Sequence, residues 1–255
     1  SSNSESINTS QSLSTSSIDS FDYVIKDSSG NTSNTAKILL STTLNQPAGA
    51  PCFASNTNIL LEDGNQKLVQ NLIQGDRVMT HRGVREVLWI GKKYFSQNDL
   101  KSRKRDCPIA FLPGSLGENT PTKTLYVSEG HYLYINGKLI AAGCLVNGIN
   151  IVRVSANILI NGVCYWHIDL GQEELVMSNA CWTGSYYCFF NRRNFSNHSD
   201  FAGDPDRCTK KLDFPRHASV YEVKEDYKYL TRRAMSMVAN ETSELEKHRT
   251  SLSCK

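Results

Sequence analysis

Cys52 is the residue of this chain whose type and position most clearly suggest chemistry. It follows Pro51, where a leader rich in Ser, Thr and Asn gives way to strand-like sequence. A cysteine at the first residue of a folded unit can attack the carbonyl carbon that precedes it, which converts the Pro51–Cys52 amide into a thioester. This reaction needs a nucleophile, a proton for the leaving nitrogen and a fold that strains the bond. Without such partners, a cysteine is typically buried or disulfide-bonded.

Two of the six histidines lie where they could supply that proton. His131 follows a predicted strand and a glycine, three residues after the hydroxyl of Ser128. His167 lies within another predicted strand and faces the opposite way from Trp166, because successive side chains alternate along a strand. The alternatives are a surface turn residue for His131 and a half-buried strand residue for His167.

The elements that must position these side chains are short strands. From Cys52 to about Phe195, short apolar runs alternate with Gly, Asn and Asp, and long helical periodicity is absent. This pattern indicates an all-β body. The basic run Lys101–Arg105 is predicted to be a solvated loop. The predicted strands are Ile59–Leu61, Arg77–Thr80, Glu86–Ile90, Lys123–Val127, Tyr132–Ile135, Ile149–Val154 and Cys164–Leu170.

The regions that flank this body have a different composition. Residues 1–17 are almost entirely Ser, Asn and Thr, which predicts a disordered leader. Residues 18–44 predict a β-hairpin that looks like the last two strands of a cadherin-like or Ig-like repeat, and residues 45–51 are a linker. Residues 199–255 form a polar C-terminal extension, in which 223–248 have helix-like spacing.

Composition excludes several classes of function. The net charge of +3 is too small to imply a nucleic-acid partner. No apolar run has the length needed to span a membrane. The eight cysteines include no Cys-x-x-Cys pair, which argues against a zinc site. The chain starts at Ser1 without Met or an apolar signal region, and we interpret it as a fragment or a processed piece.

A series of motifs runs in order along the body. They are Cys52-Phe53, Gly75-Asp76-Arg77-Val78, Val87-Leu-Trp89-Ile-Gly91, Leu125-Tyr-Val-Ser128-Glu-Gly-His131, Tyr165-Trp-His167-Ile-Asp169 and Ser185-Tyr186. In this order and spacing they resemble the Hint domain (Hedgehog/intein type), in particular the bacterial-type branch found in secreted or surface proteins. The resemblance implies a Hint β-fold of many short strands over residues 52–198.

The resemblance also implies roles for four residues. Cys52 matches the nucleophile of an N-to-S acyl shift. Ser128 and His131 match a Thr/Ser-x-x-His motif, in which His polarises the scissile amide and protonates its nitrogen while the hydroxyl helps to hold that peptide. His167 falls where many inteins carry aspartate and this branch usually carries His, and it would help to resolve or orient the thioester.

The partners follow from the same resemblance. The substrate would be the chain's own upstream polypeptide in cis, and the acyl acceptor would be water or an external nucleophile. No metal or organic cofactor is implied. Secretion or a cell-surface location is expected, because the domains of this branch are found in secreted or surface proteins.

Departures from the family pattern leave two functions open. Pro51 restricts the donor carbonyl, and Glu129-Gly130 replaces the usual Pro-Asp. The stretch Cys181–Ser185 offers no Asn to cyclise, and Asn179 is expected to make the turn before it. The first function is therefore autoprocessing at Pro51–Cys52 without full splicing. The second is a catalytically silent Hint module with a structural or interaction role, and a disulfide at Cys52 would favour it. Hedgehog-like acyl transfer to a lipid alcohol is disfavoured by the charged tail.

Overall fold

The computed structural model of the protein describes residues 18–23, 36–41, 51–186, 192–204 and 210–217. The chain divides into two units, Ser1–Gln46 and Pro47–Lys255. In the first unit, β1 (Ile18–Tyr23) pairs antiparallel with β2 (Ala36–Ser41) to form the predicted hairpin. Its interpretation as part of a repeat domain stays a prediction. The leader over 1–17 and the helix predicted over 223–248 lie outside the described residues.

The described part of the second unit consists of short strands with little helix. One α-helix, α1 (Gln97–Ser102), and short 3₁₀ turns lie among the strands in its described part. The 3₁₀ turns span Val69–Asn71, Lys104–Asp106, Ala142–Leu145, Arg192–Asn194 and His198–Asp200. The strands are β3 (Phe53–Ala54), β4 (Asn58–Leu60), β5 (Gln66–Leu68), β6 (Arg77–Thr80), β7 (Gly83–Glu86), β8 (Trp89–Phe95), β9 (Ile109–Phe111), β10 (Leu125–Val127), β11 (Tyr132–Ile135), β12 (Lys138–Ala141), β13 (Ile151–Arg153), β14 (Val163–Asp169), β15 (Leu175–Ser178), β16 (Cys181–Gly184) and β17 (Arg216–His217).

These strands form two sheets. The first has the order β13-β9-β10-β3-β14-β8, and the second has the order β17-β12-β11-β16-β15-β4-β5, with β6 joining β15 to β7. The pairings in the described part are antiparallel, apart from the parallel pair β12–β17. The all-β class predicted from the sequence is confirmed.

The strand predicted over Glu86–Ile90 is wrong, because this segment passes from one sheet to the other. Glu86 ends β7 in the second sheet, and Trp89 begins β8 in the first. Between them, the N–H of Val87 donates to the carbonyl of Asp76 at 2.8 Å, and the N–H of Leu88 donates to the carbonyl of Asp169 at 2.8 Å. The apolar run 87–90 therefore gives no sign that the partner strand changes.

The run Lys101–Arg105 is exposed to solvent as predicted, but it is not a loop throughout, since α1 extends to Ser102. Ser96 caps this helix: its hydroxyl accepts from the N–H of Asp99, and the Asp99 carboxylate accepts from the N–H of Ser96. This reciprocal capping box satisfies two backbone donors at the start of the helix. Leu100, which is fully buried, anchors the helix to the body.

The first sheet separates two apolar clusters. Successive residues of a strand point to opposite faces, so Phe53 and Trp166 belong to one cluster while Ala54 and Tyr165 belong to the other. Cys52 lies in the second cluster. Its thiol is thus surrounded by apolar side chains rather than by water.

A short part of the C-terminal extension docks on the second sheet. Residues 210–217 include β17, and Arg216 forms an ion pair with the buried carboxylate of Glu173. The same carboxylate accepts from the N–H of Leu212 at 2.8 Å. Leu212 packs with Leu139 and Leu175 in a small third cluster. Glu173 therefore fixes this part of the extension.

Candidate active site

Cys52 lies directly before β3, and the neighbouring strand β10 leads to Ser128. Val127 of β10 pairs with Phe53 of β3. One residue further, the N–H of Ser128 donates to the carbonyl of Cys52, and the N–H of Cys52 donates to Oγ of Ser128, each at 2.9 Å. The nitrogen that would leave in an acyl shift is thus held by a hydroxyl oxygen.

His131 lies at the end of the turn that follows Ser128. Its backbone N–H donates to the carbonyl of Ser128 at 3.0 Å, and its imidazole ring packs against the ring of Phe53 with 4.4 Å between centroids. The residue is fully buried, so the alternative of a surface turn residue is wrong. Neither ring nitrogen has a hydrogen-bond partner among the described residues.

Burial controls the charge of His131. It lowers the pKa of the ring to about 3, and the backbone of Cys52 opposes this shift to a smaller extent. Desolvation disfavours the charged form of a histidine. The imidazole is therefore neutral near pH 7 and can accept a proton before it donates one.

His167 flanks Cys52 from the other side. Trp166 of β14 pairs with Phe53, so the next residue of β14 lies beside Cys52. Its ring is fully enclosed, with Tyr186 edge-on at 4.8 Å and Phe195 stacked at 5.4 Å. The alternative of a half-buried strand residue is therefore wrong.

The surroundings of His167 keep its ring neutral and connect it to the scissile peptide. Burial lowers its pKa well below the ordinary value, and the nearby His131 and Arg192 act in the same direction. The backbone of Pro51 opposes them. Because proline has no N–H, the polar group that it offers is its carbonyl. The ring of His167 thus lies close to the carbonyl group that Cys52 would attack, although it forms no hydrogen bond of normal geometry with that group.

The thiol of Cys52 is free and buried. Burial raises its pKa strongly, while the ammonium group of Lys93 acts in the opposite direction. Lys93 lies on β8, where it pairs with Tyr165, and Tyr165 in turn pairs with Ala54. Sequence reasoning missed Lys93, because only the pairing of three strands brings it near Cys52.

The remaining cysteines fall into two groups. The thiols of Cys107 and Cys181 are free, like that of Cys52, whereas Cys164 is disulfide-bonded. Cys181 lies in the cluster on the opposite face of the first sheet from Cys52.

Among the described residues, no group of three or more His, Cys, Asp and Glu side chains could hold a metal ion. The same residues include no helix of the length and apolarity that a membrane span requires.

Asn179 makes the turn between β15 and β16, as expected. It adopts a left-handed conformation with φ of 45°, and Ala180 follows with φ of 67°. Its side-chain oxygen accepts from the N–H of Asn58 at 2.9 Å, and its amide group donates to the carbonyl of Thr124 at 3.1 Å. The side chain is therefore committed to holding the turn.

Comparisons with known proteins give one matching family and several similar structures. A profile of the Hint domain family matches residues 51–189. The chain is similar to the crystal structure of the gp41-1 intein, with 17% identity and a TM-score of 0.38 over 53% of this chain and 98% of that chain. It is also similar to the solution structure of a bacterial intein-like domain from Clostridium thermocellum, with 15% identity and a TM-score of 0.36 over the same shares of 53% and 98%. A search of the curated proteins finds no match.

Proposed function

The chain belongs to the Hint domain family, and on this premise we propose that it is an autoprocessing domain. It cleaves the Pro51–Cys52 peptide bond by an N-to-S acyl shift and then resolves the thioester, without full splicing. The upstream polypeptide is the acyl group, so each molecule turns over once and in cis. Proximity rather than substrate binding supplies the reactants.

The first step exchanges an amide for a thioester. The neutral His131 accepts the proton of the Cys52 thiol as Sγ attacks the carbonyl carbon of Pro51. The imidazole of His167 donates its N–H toward the carbonyl oxygen as negative charge develops there. The bond to the Cys52 nitrogen then breaks, and His131 returns the proton to that nitrogen.

The second step releases the upstream polypeptide. Water or an external nucleophile attacks the thioester carbon, and the bond to Sγ breaks. With water, Pro51 becomes a C-terminal carboxylate, and Cys52 becomes an N-terminal residue with its thiol restored. Atoms and charge balance without a metal or an organic cofactor.

One observation carries the proposal: the reciprocal hydrogen bonds between Cys52 and Ser128. They hold the leaving nitrogen against a hydroxyl oxygen, beside a histidine that burial keeps neutral. They also fix the Cys52 backbone, which limits the directions from which Sγ can reach the preceding carbonyl. The thiol is free, so the disulfide that would favour a silent module is absent at Cys52.

The test is intact mass against time for the chain with a tag ahead of Ser1, purified under reducing conditions. A fragment that ends at Pro51 should accumulate, and added thiol or hydroxylamine should accelerate its appearance. The Cys52→Ala variant is the matched control and should stay intact. A parent chain that also stays intact in hydroxylamine would contradict autoprocessing.

A second candidate function is a silent Hint module with a structural or interaction role. The strongly raised pKa of the buried Cys52 thiol favours it, because the thiol rather than the reactive thiolate prevails at neutral pH. The residue Pro51 and the pair Glu129-Gly130 depart from the family pattern in the same region. An intact parent chain in the mass experiment would support this alternative.

A secreted or surface location belongs to the proposal as well. The disulfide at Cys164 supports it, because such bonds persist mainly in oxidising compartments. The expected result is that Cys164 is protected from alkylation in protein isolated from its native source without reductant. Free Cys164 in that material would place the protein in a reducing compartment.

A further inference from the structure

A segment beyond the family match completes the wall of the candidate active site. We call residues 192–201 the clasp. The match with the Hint family ends at residue 189, yet Phe195 and Phe201 of the clasp pack in the same apolar cluster as Cys52. No site residue predicted from the sequence lies in this segment.

The clasp is anchored at its start by a buried ion pair. Nε of Arg192 donates to Oδ2 of Asp169 at 2.8 Å, and a second nitrogen of the guanidinium lies 2.7 Å from the same oxygen. Both side chains are almost completely buried. The guanidinium also lies over the ring of Phe201, 4.3 Å from its centroid. Asp169 is two residues after His167 on β14, so the anchor is close to the site.

The middle of the clasp is hydrogen-bonded to β8. The N–H of Ser196 donates to the carbonyl of Lys92 at 2.8 Å. The side chain of Asn197 accepts from the N–H of Lys92 at 2.7 Å and donates to the carbonyl of Ile90 at 2.9 Å. Anchors on both sides of Phe195 therefore hold its ring in place.

A missing side chain makes room for Phe195. Gly91 of β8 pairs directly with His167 of β14. A Cβ atom on Gly91 would lie 2.8 Å from Cδ1 of Phe195 and 2.7 Å from Cη2 of Trp89. Real Cβ atoms essentially never approach other atoms this closely, so any larger residue at position 91 would push these rings away. The Trp-Ile-Gly motif thus forms a slot that admits Phe195 to the face of the His167 ring.

We propose that the clasp is part of the catalytic apparatus and that Phe195 is a positioning residue, which holds the His167 ring toward the Pro51 carbonyl and keeps water from it. Tyr186 closes the edge-on side of the ring, and Phe195 closes its face. The ring then has few orientations other than the one beside the scissile peptide. This inference rests on the proposed autoprocessing function, but the contact itself can be tested without cleavage.

The contact is tested by NMR in the full chain carrying Cys52→Ala, which cannot cleave. His167 ring resonances are assigned with His167→Gln. Phe195→Leu removes the aromatic ring that stacks on His167 but fills most of its volume. Gly91→Ala adds a methyl group that displaces the ring of Phe195. Both variants should move the His167 ring resonances. Lys101→Gln is the control, since Lys101 is exposed on α1 and lies outside the clasp, and it should leave them in place. Unchanged resonances in Phe195→Leu would overturn the proposal.

The positioning role is tested by cleavage of the chain with Cys52 intact. Phe195→Leu and Gly91→Ala should each slow the appearance of the Pro51 fragment by about 10- to 100-fold, as expected when a catalytic group is displaced by about 1 Å. Lys101→Gln should cleave at the parent rate. Shifted resonances with an unchanged cleavage rate would refute positioning while leaving autoprocessing intact. If the parent chain itself does not cleave, the proposed function fails and positioning fails with it, while the NMR result still decides the contact.

Discussion

Lowering the pH from 7 to 5 should destabilise the protein through His131. The pKa of this ring is about 3 in the folded chain, against an ordinary value of 6.5, because the ring is buried. Between these two values the unfolded chain binds a proton that the folded chain excludes. The free energy of unfolding therefore falls as the pH drops below 6.5, and the loss is complete near pH 3.

The size of the effect follows from the two pKa values. At pH 5 the unfolded His131 is almost fully protonated and the folded His131 almost fully neutral. This difference lowers the free energy of unfolding by about 2 kcal/mol between pH 7 and pH 5. His167 has its pKa shifted in the same direction by burial, so it adds to the loss.

The assay is urea unfolding at pH 7 and pH 5 of the Cys52→Ala chain, with and without His131→Gln. Glutamine does not titrate, so this substitution should remove about 2 kcal/mol of the difference between the two pH values. It lowers stability at both pH values through lost packing, which leaves the difference interpretable. His167→Gln should reduce the difference as well. An equal difference in the presence and absence of His131 would refute the claim that the folded ring is buried and neutral.

Three further substitutions test other contacts. Arg192→Met leaves Asp169 as an unpaired buried carboxylate and should lower the free energy of unfolding by about 3–5 kcal/mol in urea; a change below about 1 kcal/mol would contradict the burial of the pair. Ser128→Ala removes the acceptor of the Cys52 amide and should cost about 1–3 kcal/mol of stability; in the mass assay it should also slow cleavage, and an unchanged rate would exclude Ser128 from the reaction. Glu173→Gln weakens the pair with Arg216 and should make residues 210–217 sensitive to limited proteolysis; a digestion pattern like that of the parent would show that β17 docks without this pair.

Much of the fold and part of the site could be predicted from local sequence. Alternation in β14 correctly places His167 and Trp166 on opposite faces, and the strands Arg77–Thr80 and Tyr132–Ile135 are predicted with the bounds that the structure gives. The start of β8 could not be predicted, because the connecting residues Val87 and Leu88 are as apolar as Trp89 and Ile90, and only hydrogen bonds to other strands distinguish them. The sequence contains a signal for helix α1 that was missed, namely the Ser96–Asp99 capping box.

The rest of the site depends on contacts between residues far apart in the sequence. Phe195 meets His167 only because Gly91 leaves space on a third strand. Lys93 reaches the surroundings of Cys52 through the pairing of β8 with β14 and of β14 with β3. Periodicity identifies which residues of one strand share a face, but it carries no information about which strands are neighbours. Such partners were therefore beyond reach from one sequence.

Burial has opposite effects on the reactivity of the base His131 and of the acid Cys52. It keeps His131 in the neutral form that can accept a proton, but it also keeps Cys52 in the protonated form that attacks poorly. A separated thiolate and imidazolium would place two charges in an apolar cluster, which is costly unless they remain paired. The thiol proton should therefore move as Sγ attacks and pass to the Cys52 nitrogen without a long-lived ion pair. In such a reaction Lys93 offsets part of the charge on sulfur, and the hydrogen bond from the Cys52 nitrogen to Ser128 fixes the atom that receives the proton. The apolar surroundings then suppress free thiolate chemistry while they leave the acyl shift to the preceding carbonyl open.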